Sequence, residues 1–169
     1  MRPLATLAGA ALLLAACAGS QQPEPMTISE VTVNADLSAI GSRQAVSYWQ
    51  GLSGDLETAI AAEYVGRTDP KGKHIDVDVD ELSLNSPFAA GATAETAKLS
   101  GRVTLTNPDS TTAAAYDVTA SAQDVATYLP SGSNLVSIPP TSAEYYRAVV
   151  QAFAEGTATA LDEAQASGS

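Results

Sequence analysis

The chain contains one cysteine, one histidine and few basic side chains, and each shortage excludes a class of protein. A lone Cys17 cannot form an internal disulfide, and it cannot complete a structural zinc site, which needs several sulfur or imidazole ligands. Only eight Lys and Arg residues stand against 19 Asp and Glu residues, so the net charge is -11. Because clustered cations are needed to neutralise phosphates, the sequence argues against a nucleic acid partner.

Aromatic residues are also scarce, at 5% of the chain, and alanine supplies much of the 45% hydrophobic content. We therefore expect a modest core lined by small side chains. The length of 169 residues suits one domain. Gly51 and Gly54 lie within a helical pattern and precede no Gly-Lys-Ser/Thr, so no phosphate-binding loop is indicated.

A short apolar segment lies near the amino terminus. Arg2 precedes the apolar or small residues 4–16, a stretch that is shorter than the roughly 20 residues of a transmembrane helix and is typical of an export signal. The segment ends in Leu14, Ala15, Ala16 and Cys17. These four residues match a lipobox, and in them the chain resembles bacterial lipoproteins.

The resemblance implies cleavage before Cys17, diacylglycerol on its sulfur, an acyl chain such as palmitate on the new amino group, and no other cofactor. Aspartate after the cysteine tends to retain Gram-negative lipoproteins in the inner membrane, so Ala18 implies the inner leaflet of the outer membrane, facing the periplasm. Without Arg2, seven basic residues remain against 19 acidic ones. Anionic headgroups repel such a surface, so the lipid is the expected attachment to the bilayer.

The sequence divides into four predicted segments. Residues 1–16 form the signal peptide, and residues 17–26, with two prolines and no apolar period, form the lipidated tether. Residues 27–166 form a single periplasm-facing domain, and residues 167–169 form a disordered tail. The element order of the domain is predicted as strand, helix, three strands, helix. We expect an α+β fold, with an antiparallel sheet of about four strands, two helices packed on one face, and a wet, acidic opposite face.

The hydrophobic pattern places these elements along the chain. The apolar repeat between Val46 and Tyr64 predicts a helix that bends or restarts near Gly51 to Ser53 and ends at Gly66. Trp49, Tyr145 and Tyr146 lie on helical stripes, which favours core packing over ligand stacking. The other predicted elements are a strand over 26–35, a strand from Lys73 with a bulge near Asp80 and Glu81, a hairpin over 98–120, and a last helix capped by Thr141 and Glu144.

An acidic run lies along the strand that begins at Lys73. It consists of Asp76, Asp78, Asp80 and Glu81, residue types that bind calcium. Their spacing is not that of an EF-hand, and side chains two apart on a strand lie too far apart to surround one ion. We interpret the run as a solvated strand face, and keep a small-ligand or calcium-binding domain as the alternative function.

His74 raises a lesser alternative, a hydrolase. With Asp76 and a serine such as Ser100 it could supply the base, the orienting acid and the nucleophile of a triad. The chain has no Gly-x-Ser-x-Gly elbow. We therefore expect a protein that is not an enzyme.

The connection from Val125 to Thr141 is more apolar than a solvated loop. It either folds back over the sheet, adds an edge strand at 135–138, or forms a docking surface for a protein partner. The candidate surface residues are Tyr128, Leu129, Leu135, Val136 and Ile138. The element order also resembles that of small α+β accessory lipoproteins of envelope complexes, which implies a non-catalytic accessory or adaptor whose partner is not identified.

Overall fold

A computed structural model of the chain describes residues 25–167. Four strands lie side by side in chain order: β1 (Ile28–Asn34), β2 (Lys73–Val79), β3 (Leu99–Thr106) and β4 (Thr112–Ala120). The α-helices of this region are α1 (Arg43–Trp49), α2 (Leu52–Glu63), α3 (Glu81–Asn85), α4 (Ala122–Thr127) and α5 (Ala143–Ser167). The α+β class and the four strands are therefore confirmed. The lipobox with Cys17 lies outside the described residues.

The direction of the first strand differs from the expectation of an antiparallel sheet. β1 runs parallel to β2, with Val33 beside Val77, whereas β2, β3 and β4 are antiparallel to their neighbours. The sheet is mixed because the chain leaves β1, passes through α1 and α2, and re-enters β2 in the same direction. Residues 35–72 are long enough for such a crossover, which needs a dozen or more residues.

One face of the sheet is covered and the other is open. Alternate residues of each strand are buried, for example Val33, Val77, Val103 and Val118. The helix α2 packs beside β1, and α5 packs against β3, β4 and α2. The prediction that both long helices share one face is thus confirmed, whereas the short helices α3 and α4 were not predicted. Of the helices between residues 25 and 167, none has the length and hydropathy that a membrane crossing requires.

The first predicted helix is interrupted where its glycines occur. α1 ends at Trp49 and α2 begins at Leu52, with Gly51 between them. Gly66 has a φ of 79°, the left-handed conformation expected of a residue that follows a helix. The restart near Gly51 and the stop at Gly66 are therefore confirmed.

Two predicted details are wrong for the same reason, a side chain that caps a helix. No bulge follows β2; instead Asp80 Oδ1 accepts a hydrogen bond from Leu82 N at 2.9 Å and begins α3. At the last helix, Ser142 Oγ accepts from Tyr145 N at 3.1 Å, so Ser142 is the cap instead of Thr141. Asp and Ser both satisfy the free N–H groups of a first turn, and the neighbouring candidates differ by one or two positions.

The limits of the domain shift slightly. Met26, assigned to the tether, is 4% exposed and belongs to the core. α5 extends through Ser167, the first residue of the predicted tail. The domain therefore includes residues on both sides of the predicted range.

Buried tyrosines make the fold sensitive to alkali. Burial raises the pKa of Tyr145 to about 12 and raises the pKa values of Tyr48, Tyr64 and Tyr146 further still. A raised pKa means that the neutral phenol favours the folded state. This stabilisation is complete below pH 10.0, where an unfolded tyrosine ionises, and is lost as pH rises through the raised values.

We expect stability to fall progressively above about pH 10 and phenolate absorbance to rise together with unfolding. Circular dichroism and phenolate absorbance, followed in one titration, measure both. If all six tyrosines ionised near pH 10 while the circular dichroism stayed native, the tyrosines would not be held in a buried environment.

Candidate functional site

The open face of the sheet carries the middle of the acidic run, and each carboxylate there has its own neighbour. His74 Nε2 lies 3.0 Å from Asp76 Oδ1, and His74 Nδ1 lies 3.7 Å from Glu30 Oε2. Asp78 lies opposite Arg102 in the β2–β3 register. Asp76 is therefore neighboured by a histidine, whereas Asp78 lies across the sheet from an arginine whose ion pair is with Asp117 of β4.

The end of the acidic run leaves the strand. Asp80 caps α3, and Glu81 lies in the first turn of that helix, where its charge faces the helix N-terminus. Within residues 25–167 no three His, Cys, Asp or Glu side chains converge on one point where a metal could bind. The four candidates for calcium thus share no common centre in this part of the chain.

The proposed catalytic group does not assemble. His74 contacts Asp76 as expected, but His74 lies opposite Thr106, six residues along β3 from Ser100. At about 3.4 Å per residue, this separation is roughly 20 Å. Ser100 Oγ instead lies 3.0 Å from Thr119 Oγ1. Ser100 is therefore excluded as the nucleophile beside His74.

The apolar connection after α4 folds back on the core. Tyr128, Leu129, Leu135 and Ile138 are half-buried and pack against it. The suggested edge strand is absent, because Ser137 N and Ile138 N both donate to Asn134, which closes a turn. Val136, at 83% exposure, is the member of the predicted docking surface that remains accessible.

A different feature offers backbone groups to a partner: the outer edge of β4. Asp80 N donates to Ser100 O at 2.8 Å, so Ser100 and every second residue of β3 direct their backbone groups toward β2. The residues between them, including Gly101, pair with β4, and Val118 is the partner of Gly101. By the same alternation, the backbone groups of three exposed residues point away from the sheet: Ala115, Asp117 and Thr119.

No other strand of residues 25–167 pairs with this edge. The opposite edge differs, because Val33 N of β1 donates to Glu57 Oε1 of α2 at 3.1 Å. The start of β1 is also engaged, since Ile28 N donates to Arg67 O and Asp69 N donates to Ile28 O, each at 2.9 Å. The two edges of the sheet are thus chemically unequal, and β4 presents the accessible one.

A groove of about 420 Å³ lies between β4 and α5. It is lined by Asp117 to Thr119 of β4, by residues of α5 between Ala152 and Glu163, and by Asp124 and Thr127 of α4. A separate hollow, of about 390 Å³, lies under the end of α5, where Lys73 of β2, Leu105 of β3 and the first half of β4 face Leu161 to Gln165. Later residues of α5 lie beside earlier residues of β4, so helix and strand run in opposite directions. The groove therefore borders the accessible edge at Asp117 and Thr119.

The groove between β4 and α5 is acidic. Four carboxylates line it: Asp117, Asp124, Glu155 and Glu163. Asp117 pairs with Arg102 at 3.2 Å, and none of the other three forms an ion pair within the described part of the chain. The hydroxyl and amide of Ser121 both donate to Asp124, which lowers the pKa of that carboxyl. The groove therefore keeps a negative charge even in mildly acidic solution.

Comparison with known proteins assigns this groove no ligand. No protein-family model matches the chain, and no curated protein or solved structure shows significant similarity to it. The candidate site is therefore defined by its geometry: an unpaired strand edge, a groove beside a helix, and an excess of carboxylates.

Proposed function

We propose that this chain is a lipid-anchored, non-catalytic adaptor that contacts a protein partner in the bacterial cell envelope. The lipobox residues Leu14 to Cys17 support the anchor, and Ala18 supports the outer membrane, with the domain facing the periplasm. The acidic surface supports an attachment that depends on acyl chains, because anionic lipid repels it. At least two acyl chains give stable attachment.

The single observation that carries the adaptor role is the outer edge of β4, which no strand of residues 25–167 pairs with. An exposed strand edge is a row of unused donors and acceptors that pairs readily with another chain. Val136, 83% exposed in the connection after α4, is a second candidate contact. The alternatives are less well supported, since the calcium candidates are dispersed and His74 lacks the suggested serine.

Replacing Cys17 by alanine tests the anchor. The wild-type chain should fractionate with the outer membrane and carry the added mass of its lipid, whereas Cys17→Ala should lose both properties because no thiol accepts diacylglycerol. Ala18→Asp is the matched control, since it should stay lipidated and move to the inner membrane. Mass spectrometry of the intact chain and density-gradient fractionation provide the measurements.

Two outcomes would contradict the proposal. A Cys17→Ala protein that still sediments with membranes would remove the lipid anchor. A lipidated wild-type chain that purifies from membranes with no stoichiometric partner protein, before and after cross-linking, would contradict the adaptor role.

Val136→Asp tests whether Val136 contributes to the contact with the partner. Val65→Asp is the control, because Val65 is similarly exposed, at 80%.

A further inference from the structure

We propose that the outer edge of β4 binds an extended, basic segment of the protein partner, which adds to the sheet as a fifth strand beside α5. This inference rests on the proposed adaptor function and specifies its partner. Main-chain hydrogen bonds would provide the attachment, and side chains in the groove would select the sequence.

The backbone of β4 is suited to this pairing. Ala115, Asp117 and Thr119 are each exposed and each direct one N–H and one C=O outward, so an added strand could form up to six hydrogen bonds. The register irregularity of β4 lies at its beginning, opposite Leu105 and Thr106, so the stretch from Ala114 to Ala120 is regular. A segment of about seven residues would match it.

Proteins usually protect accessible edges with lysine, proline, bulges or covering elements. The stretch from Ala114 to Ala120 contains neither lysine nor proline. β1, in contrast, has Val33 N engaged by Glu57 of α2. Protection at one edge and exposure at the other indicate that β4 is the edge available for binding.

The carboxylates define the charge of the occupant. Glu155 and Glu163 are exposed on the groove side of α5 and have no cationic partner in the described region. They are eight residues apart, about 12 Å along a helix. Residues four apart on one face of a strand are separated by about 13 Å. Lysine or arginine at positions i and i+4 of the added strand would therefore match both glutamates.

The same charges disfavour two other occupants. A second copy of the chain would place Asp117 and the glutamates of α5 beside an equally acidic groove, and like charges at an interface oppose association. An anionic membrane surface would be repelled for the same reason. A basic strand is the occupant that the charge of the groove complements.

The probe is a heptapeptide that alternates lysine and valine, titrated into the full lipidated chain in detergent micelles. We expect saturable binding, with amide NMR shifts and slower hydrogen exchange concentrated at Ala115, Asp117 and Thr119. A peptide that alternates glutamate and valine should not bind. A lysine-valine peptide in which every backbone nitrogen is methylated keeps the charge and removes the backbone donors of both its edges, so it should bind at least about tenfold more weakly.

Variants separate backbone pairing from charge. Ala115→Pro removes an outward N–H without removing a bond to β3, and should weaken binding by at least about tenfold, whereas Ala115→Val should leave it unchanged. The double variant Glu155→Gln and Glu163→Gln should weaken binding about three- to tenfold. Its control, Glu30→Gln with Glu81→Gln, changes the net charge equally at sites outside the groove and should have little effect.

Three results would overturn the inference: equal binding of the N-methylated peptide, equal binding of the acidic peptide, or no saturable binding of the basic one. A dimer that Ala115→Pro converts to a monomer would assign the edge to a second copy instead. Failure of the peptide assay, with Cys17→Ala still released from membranes, would leave the proposed anchor in place. Conversely, peptide binding by a chain that proves to carry no lipid would support the binding edge and contradict the proposed anchor.

Discussion

Trp49→Ala should destabilise the domain by about 3–5 kcal/mol, a large part of the 5–15 kcal/mol typical of a folded domain. Trp49 is fully buried at the end of α1, where the centroid of its ring lies 4.6 Å from the ring centroid of Tyr48 and 5.6 Å from that of Tyr146. Its Nε1 donates to the carbonyl of Leu84 at 2.7 Å. Alanine would therefore leave both a cavity and a carbonyl without its donor.

Chemical denaturation of the full chain measures this loss. Trp49→Phe retains an aromatic ring but removes the donor, and should cost about 1–3 kcal/mol because the buried Leu84 carbonyl loses its partner. Leu82→Ala in the neighbouring α3 is the control, because Leu82 is 81% exposed and its loss should change stability by no more than about 0.5 kcal/mol. Similar stability of Trp49→Ala and Leu82→Ala would contradict the role of Trp49 as the link between α1 and α3.

This part of the structure shows what the sequence could predict. The apolar repeat from Val46 to Tyr64 correctly indicated a helix interrupted at Gly51, because periodicity and glycine propensity are local properties. The direction of β1 was not predictable in the same way. Alternating side chains identify the buried face of a strand, but they are the same in parallel and antiparallel pairs.

The candidate site depends even more on the order of strands. A sequence pattern predicts that residues 112–120 form a strand, but it does not reveal that, among the described residues 25–167, β4 has one neighbouring strand and an unpaired outer edge. Glu155 and Glu163 likewise carry no distinguishing sequence pattern, and it is the packing of α5 beside β4 that brings them to the groove. The apolar connection that includes Leu135 was the predicted docking surface, and most of it packs on the core.

The second large effect is expected at Gly101, which lets α5 approach the sheet. A Cβ at this position of β3 would lie 2.9 Å from the carbonyl oxygen of Asp78 and 3.3 Å from Cζ of Phe153. Removing glycine from a strand favours folding by about 0.5–1 kcal/mol, but the contact with a backbone oxygen opposes it more strongly. Gly101→Ala should cost about 1–3 kcal/mol and Gly101→Val about 3 kcal/mol or more.

Gly54→Ala provides a control of opposite sign. An added Cβ at Gly54 of α2 has no neighbour within 4 Å, so alanine should stabilise the chain by about 0.5–1 kcal/mol through its higher helix propensity. Urea denaturation of both alanine variants gives the comparison. If both glycines tolerated alanine equally well, the close contacts at Gly101 with the Asp78 carbonyl and with Phe153 would be refuted.

Gly101 also connects stability to the proposed binding groove. Phe153, fully buried on α5, packs over the bare backbone of Gly101 in β3, the strand beside β4, and α5 packs on both strands. Any variant that moves α5 away from the sheet should therefore weaken the binding of the lysine-valine peptide and also lower the stability of the domain. Phe153→Leu removes the ring atom that a Cβ at position 101 would meet. Gly101→Ala combined with Phe153→Leu should then lose less stability than the sum of the single variants, which a double-mutant cycle measures.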